Sequence, residues 1–160
     1  MILLSLLLAC DPSTSDKDTG DTADTGDSAA TGPGTLALSF QMDEDYIKSM
    51  KADGETPVGD FGGEIYAEAD ASSIGPNEGA VPLLGFTVAI DLSDGGGPTD
   101  VAYVTEELDP GIVWILGCLD AAGDGCGDQG DPITIPNENK VEVLAGAETP
   151  FTVYMGMLRP

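Results

Sequence analysis

Residues 112–119 read IVWILGCL, an uncharged run whose two alternating sets of side chains are both apolar. Successive side chains of a strand point to opposite faces, so a run that is apolar on both faces must be covered on both. This predicts a central strand. Asp109-Pro110-Gly111 before it and the Gly-rich stretch after Asp120 bound it with turns. Around it lie shorter runs with strand alternation. Thr35–Phe40 (TLALSF) places Leu36, Leu38 and Phe40 on one face. Gly63–Ala69 (GEIYAEA) opposes Ile65, Ala67 and Ala69 to Glu64, Tyr66 and Glu68, and Leu84–Leu92 (LGFTVAIDL) turns Phe86, Val88 and Ile90 inward. Residues 100–108 read as a weaker strand. Residues 141–144 and 151–158 complete the set, with 133–135 as a short edge piece. Met42–Lys51 (MDEDYIKSMK) is the best helix candidate and fits a strand end equally well. Gly95-Gly96-Gly97-Pro98, Pro136-Asn137 and Ala145-Gly146 supply further turns. The fold class expected is all-β: an antiparallel two-sheet β-sandwich of about seven strands over residues 34–160.

A chain of 160 residues, 41% hydrophobic, allows one domain with a real core and a tail. Lys and Arg total 5, Asp and Glu 29, and the formal net charge is -24. Such a field repels phosphate backbones and argues against nucleic acid as a partner. With no histidine, Ser-His-Asp and Cys-His catalysis and imidazole metal sites are ruled out. Glu106 and Glu107 are adjacent, so on a strand they point to opposite faces and cannot work as an acid pair. No enzyme is expected.

Residues 11–33 (DPSTSDKDTGDTADTGDSAATGP) hold no aromatic and no Val, Ile, Leu or Met. Such composition cannot offset the entropy of ordering, and a disordered acidic tether is expected. Its Asp-Thr-Gly triplets match the active-site triplet of aspartic proteases only in letters, because those triplets sit in an apolar setting. Six acids and one lysine lie in the tether, which leaves -19 of the -24 to residues 34–160. That acidity suits cation binding or salty surroundings, and most simply a solvated acidic surface.

Before the tether, Met1–Ala9 (MILLSLLLA) is too short to span a bilayer and fits the apolar region of a secretory signal, 1–9. Its end, Leu7-Leu8-Ala9-Cys10, resembles the lipobox of bacterial lipoproteins. The resemblance implies cleavage before Cys10, lipidation of its thiol and a membrane anchor in the bacterial cell envelope. Residues 10–33 then link the anchor to the domain. A second resemblance covers Leu108–Arg159. A Leu-Asp-Pro-Gly turn, an apolar strand to Asp120, a Gly/Asp loop, Gly130-Asp131-Pro132 and a closing strand pair are similar to transthyretin-like or carboxypeptidase-regulatory-like modules. It implies a β-sandwich outside the cytoplasm, and no activity.

Asp120–Asp131 (DAAGDGCGDQGD) is the candidate metal loop. Aligned with a twelve-residue EF-hand loop, it puts Asp120, Asp124, Asp128 and Asp131 at positions 1, 5, 9 and 12, with Gly125 at the sharp turn. Clustered carboxylates suit calcium. Ala122 and Gly127 depart from the pattern, Asp131 replaces the bidentate glutamate, and a Gly/Asp loop with solvated charges is the plainer reading. If lipid takes Cys10, Cys118 and Cys126 are left to form a disulfide without remainder. The alternative is two free thiols, with Cys118 as a small buried side chain. Strand aromatics such as Trp114, Tyr66 and Phe86 suit core packing more than a glycan platform. The function expected is a lipid-anchored envelope protein displaying a non-catalytic binding or structural module toward a protein or glycan partner. The alternative is an accessory subunit of an envelope or secretion machine.

Overall fold

The structure, a computed structural model, describes residues 30–95, 97–126 and 130–158. The proposed signal, Cys10 and nearly all of the tether lie outside the described residues. Ten strands and one α-helix follow: β1 (Thr35–Met42), α1 (Glu44–Asp53), β2 (Val58–Ala67), β3 (Ala71–Ser72), β4 (Gly75–Pro76), β5 (Leu84–Asp91), β6 (Tyr103–Val104), β7 (Gly111–Asp120), β8 (Pro132–Thr134), β9 (Lys140–Val143) and β10 (Glu148–Leu158). The class is all-β.

The strands form one sheet in the order β5-β2-β7-β8-β10-β1-β6, with β9 beside β7 and β3-β4 as a separate small hairpin. β1 and β10 run parallel in register from Thr35–Glu148 to Met42–Met155, so the sheet is mixed rather than wholly antiparallel. Alternation sets which face is buried but carries no strand direction. The sheet curls until side chains of its two end strands, β5 and β6, touch, without the strands pairing. Phe86 of β5 and Tyr103 of β6 stack with ring centroids 4.5 Å apart and planes 6° from parallel. Inside, Phe40 and Phe61 touch across the core at 4.9 Å. Leu36, Leu38, Phe40, Ile65, Phe86 and Ile90 are all buried there, as their alternation requires.

β7 is the central strand that its sequence predicts. Val113, Ile115 and Leu119 enter the main core, while Trp114 and Leu116 are buried on the other face with Tyr66 and Ala71. One edge of β7 pairs with β2 from Ala67–Val113 to Asp60–Asp120. The other edge changes partner along its length, from β9 at Gly111–Trp114 to β8 at Cys118–Ile133. β8 is therefore an interior joint, not the edge piece its shortness suggests. At the change of partner, the N–H of Ile115 donates to the Asn139 carbonyl (2.9 Å) and that of Gly117 to the Thr134 hydroxyl (3.1 Å).

Asn139 has 0% of its surface exposed. Its Nδ2 donates to the carbonyls of Ile135 (2.9 Å) and Tyr154 (2.7 Å), and its Oδ1 accepts from the N–H of Tyr154 (2.7 Å). The side-chain amide thus pairs with Tyr154 of β10 as a strand residue would, while its backbone carbonyl serves β7.

α1 begins at Asp43, whose carboxylate accepts from the N–H of Asp45, and ends at Gly54, with φ +84. That left-handed cap position favours glycine. Ile47 and Met50 turn its apolar side into the core. The expected strand over residues 100–108 is reduced to β6. The N–H groups of Leu36 and Phe40 instead donate to the hydroxyls of Thr105 and Thr99, and residues 99–105 run beside β1 as an irregular strand.

Replacing Asn139 leaves buried partners on both sides of the joint without a bond. Each stranded group costs about 1–3 kcal/mol, so Asn139→Ala should lower unfolding free energy by about 2–4 kcal/mol in urea titration. A loss below about 1 kcal/mol would mean that water replaces the amide.

Candidate functional site

Two regions hold the chemistry. The first is the loop after β7. Asp120 closes it from within: its Oδ1 accepts from the N–H groups of Gly123 (2.7 Å) and Asp124 (3.1 Å), and its Oδ2 from that of Gly125 (3.2 Å). Gly123 and Gly125 have φ +79 and +103, which let the chain fold back around the carboxylate. Cys118 and Cys126 form the disulfide, Cα–Cα 5.8 Å, and tie this loop to the end of β7. Of the four acids proposed for calcium, Asp128 lies outside the described residues. Asp131 is buried, and its Oδ2 has no hydrogen-bond partner. Among the described residues no group of three or more His, Cys, Asp or Glu side chains could hold a metal. Asp120 anchors loop backbone, a role that its spacing alone does not distinguish from a ligand's.

The second region is the outer face of β5, β2 and β7. A groove of about 460 Å³ crosses it, bordered by Gly62, Glu64, Tyr66, Leu116, Pro76 and the Cys118–Cys126 pair. Glycine makes it. Gly62 and Gly85 carry no side chain to fill the surface; on the inner side Gly117 accepts none, since a Cβ there would strike the Gly62 carbonyl oxygen and the Phe61 ring, so β2 and β7 lie close beneath the groove. A shallower hollow of about 390 Å³ continues from Cys118 past Ile74 and Ile133. One edge of this face is fixed by Lys140, which bonds Glu68 and lies 5.3 Å above the Trp114 ring centroid. Tyr66, expected to be a packing residue, is one, yet its hydroxyl reaches the groove and donates to Glu64 (2.5 Å). Alternation marks Glu64 and Tyr66 as lying on the same face, but nothing in the sequence shows that glycines beside them leave a hollow.

The hydrogen bond to Glu64, with burial second, holds the Tyr66 phenol well above its ordinary 10.0, at about 12. Since the folded state holds this proton more tightly, the stabilisation is complete below pH 10 and fades as pH rises through about 12. Glu64→Gln should lower the Tyr66 transition, read as phenolate absorbance against a Tyr66→Phe control. An unmoved transition would show that burial alone sets it. In the loop, Asp120→Ala should cost about 1–2 kcal/mol with or without calcium, through loss of the three N–H acceptor contacts. A loss seen only in millimolar calcium would assign the carboxylate to a cation. No family model, curated protein or solved structure matches this chain, so its function is read from its own residues.

Proposed function

We propose that this chain is a lipid-anchored protein of the bacterial cell envelope that displays a non-catalytic β-domain as a binding module. One observation carries the reading: Leu7-Leu8-Ala9-Cys10 is followed directly by the polar tract 11–33, and among the described residues the first strand, β1, starts at Thr35. An anchor, a spacer and a domain in that order suit a protein held at a membrane and presented away from it. No helix among the described residues is long and apolar enough to cross a membrane. The disulfide agrees with maturation outside the reducing cytoplasm. The two halves of the curled sheet, β5-β2-β7 and β10-β1-β6, face one another across the core as the layers of a transthyretin-like sandwich do, and that layout belongs to the proposal. Asp120 accepts three loop N–H groups, and the proposal rests on display of the domain and not on a bound cation.

The alternative, an accessory subunit of an envelope or secretion machine, draws on a different observation. Residues 74–83 carry Ile74, Val81 and Leu83 at 94%, 73% and 55% exposed, more apolar surface than a short connecting segment needs.

Mass spectrometry of the native protein should find Cys10 as an acylated N-terminus. Cys10→Ala should move the protein from the membrane fraction to the soluble fraction without changing its melting temperature. An unmodified Cys10 in membrane-bound protein would end the proposal.

A further inference from the structure

The two ends of the sheet are finished differently. The outward edge of β1 is satisfied along its length. The carbonyls of Leu36, Leu38 and Phe40 accept from the N–H groups of Thr105, Ala102 and Thr99, and the Thr105 and Thr99 hydroxyls take the N–H groups of Leu36 and Phe40. β5 has no such cover. Its bond phase follows from the N–H of Leu92 donating to the Pro57 carbonyl (2.9 Å) and from the β2–β5 register. Leu84, Phe86, Val88 and Ile90 face β2 with their backbone groups, and Gly85, Thr87 and Ala89 face away. Among the described residues nothing bonds the outward N–H and carbonyl groups of those three. The edge also lacks the usual guards: the strand is eight residues long and holds no lysine, proline or bulge.

Charge identifies what fits there. From Ala52 to Asn139, a span that includes the whole of β2, β5 and β7, there is no lysine or arginine. On the outer face Asp60 stands opposite Ala89 and Glu64 opposite Gly85, with Asp91 at the end of β5. The Ser93 hydroxyl and N–H bond Asp91 and hold its carboxyl below the usual range, so it stays charged. On that face Gly62 alone lies between Asp60 and Glu64, at the floor of the groove. A second copy of this chain would bring the same carboxylates against these, and residues 11–33 are themselves acidic.

We propose that the free edge of β5 is a docking site for an extended, cationic polypeptide segment, which adds to the sheet as a further strand. The backbone groups of Gly85, Thr87 and Ala89 supply its hydrogen bonds. Its outward side chains alternate, and lysines or arginines on the groove side reach across Gly85 toward Glu64 and across Ala89 toward Asp60. This goes beyond display of a domain at a membrane, and it can fail while the anchor stands, because the anchor is read from mass and fractionation and the edge from binding.

The test uses the full chain and a synthetic peptide of alternating lysine and valine long enough to span β5. Binding should slow hydrogen exchange at the amides of Gly85, Thr87 and Ala89 and weaken as salt rises. A peptide of the same charge, N-methylated at alternate residues, should bind at least about tenfold more weakly, since it cannot complete the ladder. Asp60→Asn with Glu64→Gln should weaken the unmodified peptide several-fold and flatten its salt dependence. Equal binding of the methylated peptide would reduce the attraction to charge alone and overturn the proposal. So would unchanged exchange at the three amides, or protection of them before peptide is added, by self-association or by residues 1–29.

Discussion

Asn139 joins the two halves of the sheet, and the closure of the core depends on it. β7 runs out of partner where β9 ends and before β8 begins. At that gap one residue serves both sides, its carbonyl toward Ile115 and its side-chain amide toward Tyr154. A buried amide so fully satisfied is favourable and also specific, because no other register presents both partners to it. Ridge and groove alone would not do this. Apolar packing inside the curl tolerates sliding, whereas a three-bond amide contact does not.

The outer face follows from the same economy of partners. β2 and β7 approach closely at Gly63 and Gly117, and the Phe61 ring fills the space the missing side chains leave on the inner side. On the outer side Gly62 and Gly85 leave a space that nothing fills, and the groove results. Its walls are anchored rather than loose, by a disulfide at one end and by Lys140, Glu68 and Trp114 at the other. A preformed hollow of this sort loses little entropy when occupied. The one lysine at the rim, Lys140, is bonded to Glu68, which leaves the acids beside the groove in excess and the face with a net negative field that steers partners before contact.

Much of the fold was legible in the sequence. Alternation found the inward residues of β1 and β5, because burial on one face leaves a period of two, and β7 was marked by being apolar on both faces. It missed Val58–Gly62, the first half of β2, because three of the six residues from Gly59 to Glu64 are glycine and give no alternation to read. It could not distinguish the parallel β1–β10 pair from an antiparallel one. Asn139 was hidden for another reason: Pro136-Asn137-Glu138-Asn139 reads as a turn, and only the fold shows that its last residue is inside. At the candidate sites the cysteine pair was legible by counting. The work of Asp120 was not, since a carboxylate followed by glycines reads the same whether it binds backbone or metal. The groove, made from side chains that are absent, left only glycines as its trace.

The parallel pairing of the first strand with the last sets an order on how the chain reaches its folded state. β1 emerges from synthesis with neither of its neighbours made. β6 follows some sixty residues later and offers two positions, and β10 follows more than a hundred residues later and offers eight. Until residues 148–155 are free, β1 lacks the strand that pairs with it over all eight of its residues, and the core lacks one side. The contacts that complete it are among the most distant in the chain, the kind that form slowly and late. A polypeptide built this way stays open while any of its C-terminal strand is still held by the ribosome or a translocation channel.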